Sequence, residues 1–169
     1  MKLARSIRFD ESDTNVFERA AEAGEWCISG AFAFSDFNES DLKGKPRQAF
    51  RNGWLSLEGF GRTTFVATAE IEAAEVDAVT MALAAHFVAE YGAPDLEAAL
   101  PVAEEELRHM LDLCEEHSAN TLLVVERSVT PEGIHEAFRT IKPAEASVVD
   151  VLGPMADHAI EMSKLQPEE

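Results

Sequence analysis

Apolar residues along this chain recur at two spacings, and the switch between them separates sheet-forming from helix-forming stretches. From 2 to 9, Leu3, Arg5, Ile7 and Phe9 alternate with Lys2, Ala4, Ser6 and Arg8, which predicts a half-buried strand. Asp10 to Asp13 is a polar turn cluster, and Asn15 to Ala23 fits either a short strand or one or two turns of helix. After Gly24, Trp26, Ile28, Gly30, Phe32 and Phe34 alternate with Cys27, Ser29, Ala31, Ala33 and Ser35. That pattern predicts a strand with one aromatic face and one small-residue face. Asn38, Gly44, Pro46, Asn52 and Gly53 then break the chain, with room for a short helix from Pro46, at its first position, to Arg51. Trp54 to Leu57 and the β-branched run Arg62 to Ile71 each predict a strand.

The spacing changes at Glu72. Up to Tyr91 the chain is rich in alanine, leucine and methionine and reads as helix, closed by Gly92. Val76, Val79, Leu83 and Phe87 make one stripe, while Met81 and Val88 lie on the far side among alanines. A helix apolar all round is expected to be covered on both sides. Its apolar part, about 13 residues, is shorter than the roughly 20 a bilayer requires. Ala93-Pro94-Asp95 opens a second helix, with Leu96, Ala103, Leu107, Met110 and Cys114 in one stripe and Leu100 and Leu111 at its edge. Pro101 marks either a kink or the start of its regular part. The short link makes the two helices an antiparallel pair. Asn120 to Val129, apolar on both faces in its first half, belongs inside the sheet. Thr130-Pro131-Glu132-Gly133 is either the turn of a hairpin to Ile134–Ile141 or the cap of a helix, and the hairpin is preferred.

Together these elements predict a single α+β domain over 1–143. A mainly antiparallel sheet of four to six strands carries the helix pair from 72 to 117 on one face. Residues 144–169 form a C-terminal arm, partly helical from Met155 to Leu165 and frayed at its acidic end. The arm is expected across the other face or across a neighbouring subunit.

Charge changes this picture more than composition does. The 169 residues carry a formal net charge of −18, unevenly spread. Residues 1 to 69 hold 9 Lys+Arg against 10 acids, whereas 70 to 118 hold 13 acids and only Arg108. The helical middle is therefore strongly acidic, which disfavours nucleic acid and suits either a solvated face or a docking face for a basic protein partner. No long apolar run or leader is visible, so neither a membrane nor secretion is expected. Cys27 and Cys114 sit in no paired motif and read as small buried hydrophobes in a reducing, cytoplasmic setting.

Candidate chemistry is sparse. Glu106 and His109 have the Glu-x-x-His spacing of carboxylate-bridged metal bundles, but His109 falls about 140° from that helix's apolar stripe, and no second pair exists. Cys114 and His117 likewise lack the second pair that a structural zinc requires. No metal or cofactor is expected, and no nucleophile stands with its base. Lys43, Lys45, Arg47 and Arg51 form the one basic run, without the glycine pattern of a phosphate loop. It pairs either with the protein's own acidic helices or with a small anion. Phe32, Phe34, Phe37, Phe50, Trp54 and Phe60 crowd into about 30 residues. Where some of them line a groove edged by Arg47, Arg51 and Arg62, they describe a small-ligand site; the rival use is a homodimer interface. His86, one turn from Glu90, is a core histidine or an acid-base group. The candidate ligand-binding residues are thus Arg47, Arg51, Trp54, Arg62 and His86.

The runs Phe-Val-Ala-Thr-Ala-Glu-Ile (65–71), Ala-His-Phe-Val-Ala-Glu-Tyr-Gly-Ala-Pro-Asp (85–95) and Glu-Glu-Glu-Leu (104–107) resemble a family of small acidic bacterial proteins of unknown function. The likeness spans most of 1–143 and implies a bacterial, cytoplasmic setting without any activity. The functional expectation is a non-catalytic protein acting by self-association, protein binding or small-ligand binding. The alternative is an enzyme with a dispersed acid-base site in an aromatic-lined cleft. An enzyme is expected to gather titratable groups of shifted pKa near His86, Glu90 and Arg62.

Overall fold

The first strand, β1 (Lys2–Ile7), lies near the middle of one sheet and pairs antiparallel with β2 (Trp26–Ile28) on one side and β5 (Phe65–Glu70) on the other. A computed structural model of the chain describes residues 1–8, 12–35 and 43–141. Phe9, Phe37, residues 144–169 expected as an arm, the helix expected over Met155–Leu165 and His158 lie outside the described residues. With β3 (Trp54–Ser56), β4 (Arg62–Thr63), β6 (Leu122–Thr130) and β7 (Gly133–Ile141), the strand order is β4-β3-β2-β1-β5-β6-β7. Every neighbouring pair is antiparallel. The fold is α+β as expected, with seven strands among the described residues rather than four to six.

The extra strand comes from 62–71, which is not one straight strand. β4 pairs with β3 and β5 pairs with β1, although only Thr64 separates them. In a flat sheet, four places at about 4.8 Å each would set them about 19 Å apart. Two Cα steps of about 3.8 Å reach less than 8 Å. The sheet is therefore rolled, and 62–70 is one bent strand that closes β1, β2 and β3 into a ring. Asp13, on the short helix α1 (Ser12–Val16), pins the bend: its two carboxylate oxygens accept from Thr63 Oγ1 and Thr64 Oγ1, each at 2.9 Å. The stretch 15–23, open between strand and helix, is mostly neither; after α1 it reaches the ring through a parallel bridge from Ala20 to Arg62.

Rolling buries both faces of the ring strands. Leu3 and Ala4 are consecutive, point opposite ways, and are both fully buried. Helix α3 (Ala73–Glu90) starts in a capping box between Glu72 and Glu75 and ends at Gly92, whose φ of 78° suits a glycine after a helix. Helix α4 (Leu96–Glu115) is capped by Asp95, which accepts from the Ala98 N–H at 2.8 Å, and runs on through Pro101. It packs on β1 and against α3. Val79, Leu83 and Phe87 of α3 join Ala99, Ala103, Leu107, Met110 and Cys114 of α4 in the main core; Leu96, in the first turn, is exposed. Phe65, Ala67, Leu122, Val124 and Ile141 form a second cluster with Ile7.

Two expectations are corrected, and a third is met only in part. Among the described residues helix α3 is covered on one side: Met81 is 46 % exposed, Ala74, Ala78, Ala85 and Ala89 are exposed too, whereas Val88, expected beside Met81, is half-buried against the core. Alanine exposes so little apolar area that its side of the helix requires no second layer. The strand expected over 26–35 stops at Ile28. Gly30 then takes a left-handed φ of 74°, and Ala31–Phe34 forms a 3-10 turn. A Cβ at Gly30 would lie 2.5 Å from the Leu55 Cβ, so no other residue fits that turn. Helix α2 (Gly44–Asn52) begins two residues before Pro46 and packs on β6. The hairpin reading of 130–134 holds, with Thr130 paired to Gly133.

Candidate functional site

Where the chain leaves α1, residues 19–21 run along the β4 edge. The Arg62 N–H bonds the Arg19 carbonyl at 2.8 Å, and the Ala21 N–H bonds the Arg62 carbonyl at 2.8 Å. This covers the edge and sets Phe17, Glu18 and Arg19 opposite the first half of α2. Between them lies a pocket of about 220 Å³. Lys45, Pro46 and Ala49 of α2 form one wall, Phe34 of the 3-10 turn another, and Phe60 and Arg62 the third. Three cations and one acid line it, in a chain carrying −18.

Arg62 is the buried cation of this site, 8 % exposed. Its Nη1 donates to the carbonyls of Gly53 (3.0 Å) and Ser29 (3.4 Å), and Nη2 to that of Gly30 (3.2 Å). Its guanidinium carbon stands 4.7 Å from the centroid of the Phe34 ring. Those bonds use three of its five N–H groups, and no carboxylate pairs with it among the described residues. Burial, and then the neighbouring charge of Arg127, push its pKa down to about 9, still high enough to keep it cationic at neutral pH.

Arg127, on β6, does have a partner: its Nε donates to Glu136 Oε2 at 2.8 Å, and the Ser29 hydroxyl donates to the same oxygen at 2.8 Å. Its Nη1 reaches the carbonyls of Phe50 (2.8 Å), Gly53 (2.9 Å) and Ala49 (3.3 Å), and its Nη2 donates to that of Ser29. Arg127 thus caps the C-terminal end of α2, where carbonyls lack helical partners and a cation is favoured. It holds the helix that brings Lys45 to the pocket.

Phe60 connects the pocket to the rest of an aromatic cluster. Its ring stacks on His86 of α3 with centroids 3.8 Å apart and planes at 8°. His86 in turn lies 5.5 Å from the Tyr91 ring, which packs edge-on to Phe32 at 5.4 Å. Partial burial lowers the His86 pKa, with Glu90 opposing and Arg19 adding to the shift. Burial raises that of the Tyr91 hydroxyl, with Arg62 opposing.

The sequence candidates divide accordingly. Arg62 lines the pocket and His86 backs its Phe60 wall. Trp54 is fully buried and not among the lining, its ring 5.6 Å from that of Phe138, its indole N–H without a partner among the described residues. Arg47 and Arg51 lie on other faces of α2, away from the lining. Lys45 of the same basic run takes their place because positions 45 and 49 share a helix face. Arg127, Phe17 and Arg19 were not singled out. A lone arginine inside an apolar strand is the one signal that marks Arg127 in the sequence. Cys27 and Cys114 are free and buried, and burial raises both thiols, Cys114 to about 12, so both remain protonated. His109 is exposed on α4. Among the described residues no three His, Cys, Asp or Glu side chains are grouped to hold a metal ion, and no helix is long and apolar enough to cross a membrane.

No curated protein and no solved structure matches the chain. A family model described as a family of unknown function, DUF6505, matches residues 1–158, and the chain belongs to that family.

Proposed function

We propose that this protein is a non-catalytic binding protein that holds a small organic anion in the pocket between α2 and β4. One observation carries the reading: Arg62 is a buried, cationic guanidinium at a phenylalanine-walled pocket, with two N–H donors unused and no carboxylate of its own among the described residues. Burying a cation is costly, and an anion bound from solution offsets that cost. Arg19 and Lys45 add positive charge at the pocket, and the N-terminal end of α2, where Lys43 makes no side-chain cap, adds its positive dipole end to the same field. The cysteines and the family resemblance support a bacterial cytoplasm as the setting. Self-association and a basic partner on the acidic α3–α4 face stand behind this reading, since neither has a formed site.

The test is a thermal-shift and titration series on the full chain with millimolar organic acids, each beside its neutral amide. The acids should raise the melting temperature saturably and the amides should not. Lys45→Gln and Arg19→Gln, both at exposed positions, should weaken the acids several-fold without unfolding the chain. Equal shifts from acids and amides, or none from either, refute the proposal.

A second reading, catalysis, draws on the shifted pKa values of Arg62, which lines the pocket, of His86, stacked on its Phe60, and of Tyr91 beyond His86. Conversion of a bound acid, lost in His86→Gln while binding persists, would favour it.

A further inference from the structure

Phe60 is held in a backbone conformation that side chains avoid. Its φ is 58°, in the left-handed region, where a bulky residue is strained. The neighbours impose it. A Cβ at Gly61 would sit 2.6 Å from the Ala20 carbonyl, so the chain there passes against 19–21 with no room for any other residue. The loop is tied on its inner side by Ser56, whose N–H bonds the Gly61 carbonyl at 2.9 Å and whose hydroxyl accepts from the N–H groups of Glu58 and Gly59 at 3.0 and 3.1 Å. Glycine would fit position 60 without strain. Strain of this kind persists where the fold over-determines it, and it is informative when the strained side chain faces a site. Here it does: one face of the Phe60 ring is covered by His86, and the ring also lines the pocket.

Size narrows the occupant. A cavity of about 150 Å³ admits one benzene ring, and drug-sized ligands take about 300 Å³ or more. At about 220 Å³ the pocket has room for a single ring with one small charged group. The lining offers both charge and aromatic surface: Arg62 stands over Phe34, and Phe60, stacked on His86, is a second lining ring. We infer that the ligand is a single-ring aromatic carboxylate, with its carboxylate on the unused N–H groups of Arg62 and its ring stacked on Phe60. This rests on the anion-binding reading above and adds the class of anion and the residue that selects it.

Titration calorimetry of the full chain with benzoate, cyclohexanecarboxylate and acetate tests it. Benzoate should bind about two- to thirteenfold more tightly than cyclohexanecarboxylate, the range that an aromatic pair adds beyond buried area. Acetate should bind most weakly. Asparagine tolerates the left-handed region, so Phe60→Asn should stay folded, keep binding acetate, and lose the preference for benzoate. Phe60→Gly is the second variant, with the same expected result. Equal binding of the two ring acids, or a folded Phe60 variant that keeps the preference, overturns this inference and leaves the anion reading intact. Failure of all three acids to bind overturns both.

Discussion

Arg62 and Arg127 converge on one acceptor: the Nη1 of each donates to the Gly53 carbonyl oxygen, at 3.0 and 2.9 Å. A carbonyl has two lone pairs and can serve both. The arrangement brings two buried cations close around the Phe34 ring, whose centroid is 4.7 Å from one guanidinium carbon and 5.5 Å from the other. Among the described residues Glu136 forms its ion pair with Arg127 and not with Arg62. The pair therefore divides its work: Arg127 is neutralised and fastens α2, whereas Arg62 keeps an unmatched charge at the pocket.

Replacing Arg127 by methionine should be among the most damaging single changes. It removes the cap of α2 and leaves the Glu136 carboxylate, 19 % exposed, without its cation. Breaking a buried pair from one side costs about 3–5 kcal/mol. Denaturant unfolding should show a loss in that range for Arg127→Met. The double variant with Glu136→Gln should lose less than the two single losses together, because the stranded charge is gone. Arg127→Lys should recover little, since a lysine is a point charge and cannot reach Glu136 and three helix-end carbonyls at once.

Local pattern and distant contact explain which parts of this fold are readable from the chain. Helices α3 and α4, strands β1, β3 and β6 and the 130–133 turn follow from periodicity, caps and turn residues within a few positions of themselves. The bend at Thr64 does not, because its cause, the Asp13 carboxylate, lies 51 residues away. Alternation over 26–35 suggested a strand, but Gly30 turns the chain where Leu55 leaves no space for a side chain. At the site, Arg62 and His86 were legible as polar groups among aromatics. Which face of α2 carries the site was not: it depends on where the 17–19 segment lies, and that is set by its hydrogen bonds to β4.

Asp13→Ala should loosen the ring closure. It strips the Thr63 and Thr64 hydroxyls of their shared acceptor in a place where Thr63 is almost fully buried. Unsatisfied buried hydroxyls cost about 1–3 kcal/mol each, and Thr63 retains weaker contacts to the Ile7 and Phe65 carbonyls. The expected net loss is about 1–3 kcal/mol, measured by urea unfolding. Amide exchange should quicken at Ala21 and Arg62, which bridge the neighbouring segments.

On α3, a substitution pair separates the covered face from the open one. Leu83 is 0 % exposed in the main core, so Leu83→Ala should cost about 2–5 kcal/mol. Met81, two residues away and about half in solvent, should change stability by no more than about 0.5 kcal/mol on going to alanine. Chemical denaturation of the two variants gives the comparison. A loss above about 2 kcal/mol for Met81→Ala would mean that another surface covers that side of the helix in solution.

Two titrating groups should tilt the pH profile of stability in opposite directions. The folded pKa of Asp13 is raised above 3.8, chiefly by burial, so the folded chain holds that proton longer than the unfolded chain. Stability from this group is present below 3.8 and is lost as pH rises through its folded value. His86 is shifted the other way: burial lowers its pKa below 6.5, and Arg19 adds to the shift, so the unfolded chain takes up the proton first. Its contribution is present above pH 6.5 and is lost as pH falls toward the folded value. Melting temperatures from pH 4 to 7.5 should therefore show a smaller loss on the acid side of 6.5 in His86→Gln than in the parent chain. Asp13→Asn should flatten the region just above 3.8. Identical profiles for the parent and His86→Gln would mean that the imidazole is as well solvated against Phe60 as in the unfolded chain.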